Sequence, residues 1–182
     1  MDEASSEAIY FYSKTTAYYE LSNFSPHGFQ LDGAYWPTVE HYFQAQKFPA
    51  QPAYQEQIRR ARSPKDAKAL GRSRKVPLRP DWEEVKDEVM RRALRAKFLA
   101  HSELAALLLG TGTRQLVENA PSDEYWGCGR TGSGKNRLGF LLMELRGTLK
   151  AEAYQNPPPG EVVKSQPNQG AAAAGGCHAG SS

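Results

Sequence analysis

Cysteine is nearly absent. The chain of 182 residues holds only Cys128 and Cys177, and the second lies in a low-complexity stretch. A disulfide framework and a cysteine-based zinc site are both excluded as expectations. Histidine is equally sparse. His27, His41, His101 and His178 are the only four, and no two have metal-ligand spacing. No apolar run approaches the roughly 18 residues that a membrane-spanning helix needs. The opening MDEASSEAIYFY is acidic and lacks the basic-then-apolar layout of a signal peptide. A soluble, cytoplasmic protein is expected.

What is present suits one domain followed by a tail. A domain of about 150 residues buries roughly 70% of its unfolded surface, so it needs no covalent staples. From Ala151 the sequence changes to AEAYQNPPPGEVVKSQPNQGAAAAGGCHAGSS. Three prolines, an alanine run and many glycines leave too little apolar surface to offset ordering entropy, so residues 151–182 are expected to be disordered. The formal net charge is +3, and the tail contributes −1, which leaves +4 on residues 1–150.

Within residues 9–150 the pattern is mainly helical, with a small β element near the N-terminus. Ile9 to Tyr12 is β-branched and aromatic. Asp32-Gly33 between FQL and AYW signals a two-residue type I′ hairpin. Thr38 caps a helix through TVEHYFQAQKF, which stops at Pro49. Residues 51–62 form a second helix. Ser63, Pro64 and Asp66 open a third, with Gly71 as its stop. Asp81 caps the longest helix, whose apolar positions Trp82, Val85, Val89, Ala93 and Ala96 follow the 3.6-residue period. Ser102 opens a leucine-rich helix, and Gln115 to Glu118 is a short strand. Leu138, Leu141, Leu142, Leu145 and Leu149 mark a final amphipathic helix.

Four segments carry chemistry. On TVEHYFQAQKF, Glu40, Gln44 and Lys47 fall on one helical face. Such a face is usually just solvated, but this one has Tyr42, Phe43 and Phe48 around it and follows Pro37 directly, where a helix N-terminus can line a cleft. The segment APSDEYWGCGRTGSGKNRLG places Asp123 and Glu124 beside Tyr125 and Trp126. Its glycines lead to Lys135, Asn136 and Arg137, and its backbone amides suit either a plain turn or a phosphate. Gly129 to Asn136 reads as a near-miss of a P-loop. Asn136 replaces the Ser or Thr that holds magnesium, and DEYWGC does not read as a buried strand, so an NTPase is not expected. From Arg59 to Arg79 nine Lys or Arg residues face one acid, Asp66, a patch fit for phosphates or for solvent. Trp82 at the start of its helix is either core or a stacking platform.

Taken in order, these blocks resemble a known family. YYELSNFSPHGFQLDGAYWPTVEHYFQAQKF (18–48), SPKDAKALGR, RPDW, the stretch ending AKF at Phe98, SDEYWGCG and GKNRLGFLLMELR are similar to the signature of the NADAR superfamily, the YbiA-like N-glycosidases. The likeness spans residues 9–149. It implies a mostly α-helical fold and hydrolysis of an N-glycosidic bond at C1 of a phosphorylated ribose. The substrate would be ADP-ribose on guanine, including ADP-ribosylated DNA, or a phosphoribosylamino-pyrimidine intermediate of riboflavin synthesis. No metal or redox cofactor is expected for that chemistry.

By position in the matching blocks, Glu40, Asp123 and Lys47 are the expected catalytic residues. Asn23, Trp82, Trp126, Lys135, Asn136 and Arg137 are the expected substrate-binding residues. Glu40, in a first helical turn, is expected to be held ionised by the helix dipole. Lys47 either pairs with a carboxylate or phosphate, or attacks C1 to form an imine, which requires a depressed pKa. Cys128 is expected to be a small buried filler. Two other readings remain: a non-catalytic module that binds ADP-ribose or a nucleotide, and a nucleic-acid-binding protein resting on the basic stretch.

Overall fold

The computed structural model describes residues 7–155. Its elements run in the order β1 (Ile9–Phe11), a 3-10 turn (Tyr19–Leu21), β2 (Phe29–Leu31), β3 (Ala34–Trp36), α1 (Val39–Ala45), α2 (Pro52–Arg59), α3 (Pro64–Arg72), α4 (Trp82–Ala100), α5 (Ser102–Gly110), β4 (Leu116–Glu118) and α6 (Arg137–Gln155). The architecture is mainly α with two small two-stranded sheets. No helix among the described residues is long and apolar enough to cross a membrane.

The hairpin forms as its turn dictates. Asp32 (φ 51°) and Gly33 (φ 76°) both take the left-handed conformation of a type I′ turn. Phe29 pairs with Trp36 and Leu31 with Ala34. The turn is then pinned to two helices, because Asp32 accepts from Tyr42 Oη of α1 at 2.8 Å and from Arg92 of α4 at 2.6 Å.

The other sheet joins distant parts of the chain. β1 and β4 pair in parallel, Ile9 with Leu116 and Phe11 with Glu118. Asn136 completes the free edge of β4. Its Nδ2 donates to Leu116 O at 2.8 Å and its Oδ1 accepts from Glu118 N at 3.0 Å. It does so from a left-handed backbone (φ 48°), a conformation that Asn tolerates better than most residues.

α1 is the centre of the molecule. All seven of its residues are buried, and α2, α3 and α4 pack around it. Thr38 caps it by accepting from His41 N at 3.3 Å. His41 is a packed residue: its Nε2 faces only the Ala61 carbonyl (3.1 Å), so it donates there, and Nδ1 accepts from the Thr38 hydroxyl (2.8 Å). The five leucines expected on α6 are all buried. Cys128 is buried as expected, within 3.4 Å of Asn119 Oδ1.

Four local expectations are corrected. Gly71 does not end its helix but lies inside α3, where a Cβ would overlap the Gln44 side chain. Close helix approach, not chain reversal, explains the glycine. Asp81 precedes α4 but makes no side-chain cap, because Arg79 takes both its oxygens at 2.6 and 2.8 Å. α2 ends at Arg59 and not at 62. α6 continues to Gln155, so the first five residues of the expected tail extend the helix. Residues 156–182, the rest of that tail, lie outside the described residues.

Candidate active site

Three elements and two loops converge beside α1 on a cavity of about 230 Å³. α1 supplies Glu40 and Gln44, and Lys47 follows one turn later. α3 presents Lys68 and Arg72 from the opposite side, four residues apart and therefore on one face. α4 brings Trp82, and the loop after β4 brings Asp123, Tyr125 and Trp126. Glu118 ends β4 at the cavity floor, and Asn23 enters from the loop after the 3-10 turn.

Aromatic rings form a continuous wall. Phe43 meets Trp82 edge-on at 4.9 Å between centroids and Trp126 at 5.3 Å, and Trp126 meets Tyr125 at 5.0 Å. Trp82 is both core and cavity lining, only 6% exposed. Asp123 shapes this wall. Its Oδ1 accepts from the backbone N–H groups of Tyr125 (3.1 Å) and Trp126 (2.8 Å), an Asx turn that aims both rings. The loop is braced from behind by Asp87 of α4, which accepts from Tyr125 Oη at 2.8 Å and from Arg137 at 2.7 and 2.9 Å.

Charged groups of both signs line the cavity. Glu40, Glu118 and Asp123 contribute carboxyl groups and Lys47, Lys68 and Arg72 contribute cations, while Glu83 and Lys86, which also line it, pair with each other. None of the three cations makes an ion pair within 4.0 Å among the described residues. Burial raises the Glu40 carboxyl above the ordinary range, against the pull of Lys68, its Gln44 hydrogen bond, Lys47 and Arg72. Burial therefore works against the stabilisation of the ionised form that the helix dipole was expected to supply. Glu118 is pushed up to about 8 by burial, with Asp123 and Glu40 adding repulsion. Lys47 is brought down to about 8, first by burial and then by Arg74, Arg72 and Lys68, against the attraction of Glu40. Its amine lies 5.5 Å from the Trp82 ring centre and 5.7 Å from that of Phe43. Three buried side-chain atoms have no partner among the described residues, Asn23 Oδ1, Gln44 Oε1 and His27 Nδ1, and the first two belong to residues that line the cavity.

Six of the nine residues expected from sequence line this cavity: Glu40, Lys47, Asp123, Asn23, Trp82 and Trp126. The other three do not. Asn136 is engaged with β4, Arg137 with Asp87, and Lys135 lies over the outer face of the Tyr125 ring, 5.4 Å from its centre. Glu118 was not foreseen. Its only sequence signal is a carboxylate at the end of an apolar strand. Lys68 and Arg72 belonged to a basic stretch from which no residue was singled out. Among the described residues no group of three or more His, Cys, Asp or Glu is arranged to hold a metal ion.

The model of the NADAR domain family matches residues 10–150. Over 144 residues the chain is 56% identical to N-glycosidase YbiA of Escherichia coli (strain K12), covering 79% of this chain and 89% of that one. It is 43% identical over 163 residues to the riboflavin biosynthesis protein PYRR, chloroplastic, of Zea mays, covering 80% of this chain and 26% of the maize protein. The NMR structure of the E. coli protein YbiA matches with a TM-score of 0.79 at 51% identity, over 86% of this chain and 92% of that one.

Proposed function

The chain belongs to the NADAR domain family, and on that premise we propose that it is an N-glycosidase that hydrolyses the C1–N bond of a phosphorylated ribose. The observation that carries this reading is the convergence of Glu40, Glu118, Asp123 and the amine of Lys47 on one aromatic-walled cavity.

As the base departs, positive charge builds on the ribose ring, and carboxylates beside it lower the barrier. Glu40 is suited to that task and to accepting a proton from water, since burial increases its basicity. Asp123 has an oxygen free of the Asx turn for a ribose hydroxyl. Lys47 is the nucleophile: a pKa near 8 leaves a usable neutral fraction at physiological pH. Its attack at C1, with ring opening, gives an imine that water then hydrolyses. Asn23 and Gln44 line the cavity beside the sugar, and Trp82 and Trp126 close over it. Lys68 and Arg72, rather than Lys135, Asn136 and Arg137, face the cavity and take the phosphate.

Two substrates fit. The names of relatives such as the maize protein favour a phosphoribosylamino-pyrimidine of riboflavin synthesis. The unpaired cations at the cavity favour the more phosphate-rich ADP-ribose on guanine, free or in DNA. The purified protein and Glu40→Gln, each given ADP-ribosylated guanosine in DNA and a phosphoribosylamino-pyrimidine, separate them by mass spectrometry of the released products. Release from the DNA substrate, lost in the variant, makes this an ADP-ribosyl-guanine hydrolase. Release from the small molecule alone makes it a metabolite-directed enzyme. Binding without cleavage of either overturns the enzyme reading in favour of a nucleotide-binding module.

A further inference from the structure

A second cavity, of about 310 Å³, opens beside the first. The two share Phe24, Lys68, Glu118 and Asp123 as a common wall. Lys47 and Arg72 line only the first, while Tyr12 and Tyr19 line only the second. The second cavity has Tyr12, Tyr19 and Phe24 on its sides and the Glu118 and Asp123 carboxyl groups at the edge it shares with the first, with Lys14, Lys68 and the hydroxyls of Ser13, Ser22 and Ser122 completing its lining. The aromatic side is held rigidly. Tyr19 Oη donates to Phe24 O at 2.9 Å, and the Lys68 amine lies 5.6 Å from the centre of the Phe24 ring.

Glu118 stands at the junction. Its backbone is fixed by pairing with Phe11 and by the Asn136 side chain. Its carboxyl makes no hydrogen bond among the described residues, so it is available to both cavities. Flat faces with carboxyl oxygens along one edge match a heterocycle that carries amino groups: the ring stacks, and its N–H groups donate to the edge. Guanine and the aminopyrimidinones share that edge.

Building on the N-glycosidase reading, we propose that the second cavity is the subsite for the departing base, a flat amino-substituted heterocycle, and that Glu118 gives that base its proton. The C1–N bond breaks with its electron pair going to the base nitrogen, and the Glu118 carboxyl proton bonds there. C1 gains an oxygen from water by hydrolysis of the Lys47 imine, which frees the lysine amine again. The proton that water loses returns to a cavity carboxylate, so the sum is the addition of one water molecule across the bond. Burial beside Asp123 and Glu40, with only Lys68 opposing, keeps Glu118 protonated at neutral pH, as a general acid requires.

The test has a binding arm and a kinetic arm. Isocytosine, which carries the amino-pyrimidinone edge, is titrated calorimetrically into wild type, Tyr12→Ala and Tyr10→Ala. Tyr10 is exposed and lines neither cavity. Isocytosine is expected to bind wild type and to inhibit hydrolysis competitively. Its affinity should fall about ten-fold in Tyr12→Ala, the usual cost of a lost stacking platform, and stay unchanged in Tyr10→Ala. Glu118→Gln should lower kcat by about a hundred-fold or more and remove the decline in rate above about pH 8. Hydrolysis with isocytosine affinity indifferent to Tyr12 overturns the base subsite and leaves the N-glycosidase reading standing. A Glu118→Gln enzyme that keeps the alkaline decline overturns the proton transfer. Binding that depends on Tyr12, with no N-glycoside hydrolysed, sinks both the proton transfer and the enzyme reading but keeps the base site.

Discussion

Gln44 Nε2 donates to Glu40 Oε1 at 2.7 Å, one helical turn away, with both side chains inside the core. This is the only hydrogen bond the Glu40 carboxyl makes among the described residues, and the backbone that carries it is tied to the Asn23 loop through Glu40 N and Asn23 O at 3.1 Å. Replacing Gln44 with Leu leaves a buried carboxyl without a donor. Chemical denaturation should show a loss of about 1–3 kcal/mol. The Glu40 pKa should rise further, since the hydrogen bond now opposes the effect of burial. Unchanged stability would mean that the pair contributes nothing net.

Lys47 and Glu118 set opposite limbs of the pH profile. The Lys47 amine must be neutral to attack, and its pKa of about 8 makes the active fraction grow as pH rises toward that value. The Glu118 carboxyl must be protonated to donate, and its value, also about 8, makes the active fraction shrink beyond it. A bell-shaped kcat/KM with its maximum near pH 8 is expected. The groups that face these two residues are Glu40, Asp123, Lys68, Arg72 and Arg74, so the limbs should shift when those charges are removed. A profile flat across this range would contradict both assignments.

Borohydride added during turnover should fix substrate to Lys47, recoverable as a single modified peptide. Lys47→Arg keeps the charge but cannot form the imine, and should lose at least about a thousand-fold in turnover, equivalent to about 4 kcal/mol of barrier. No adduct, together with an active arginine variant, would assign Lys47 to charge pairing alone.

Phosphate recognition can be located by comparing two faces. Lys68→Ala and Arg72→Ala should each raise KM by about ten-fold at low salt, with a smaller effect at high salt, as expected for charge-assisted contacts. Lys135→Ala should leave KM unchanged. The reverse result would return the phosphate to the glycine-rich loop.

Lys97 is buried within α4 and donates to Ser25 Oγ at 2.6 Å, to Glu20 O at 2.5 Å and to Ser22 O at 3.0 Å. It thereby holds the loop that presents Asn23. Lys97→Met should raise KM several-fold with a smaller change in kcat, because binding geometry suffers before chemistry. A kcat effect of equal size would point to a direct catalytic role.

Much of this was legible in the chain. Local rules placed the Asp32-Gly33 turn, the Thr38 and Ser63 caps and the leucine face of α6, because each depends on neighbours within a few residues. The same is true of Glu40 and Lys47, whose shared helical face brings both to one cavity. Asp123 was legible as a carboxylate beside aromatic residues, although its part in aiming Tyr125 and Trp126 was not.

Other features depend on contacts between distant segments, and sequence spacing does not encode them. The parallel pairing of β1 with β4 carries Glu118 to the cavity floor, and no local signal links residues 9–11 to 116–118. Asn136 looked like a ligand-binding residue, yet it completes a strand edge. Glu40 was expected to be a catalytic carboxylate held ionised by the helix dipole, yet packing around α1 buries it and raises its pKa. The sequence by itself determined which elements form and which side chains share a face. Only the tertiary structure decided which of those side chains lose solvent, and desolvation is what brings Lys47 and Glu118 to about 8 and raises Glu40 above the ordinary carboxylate range.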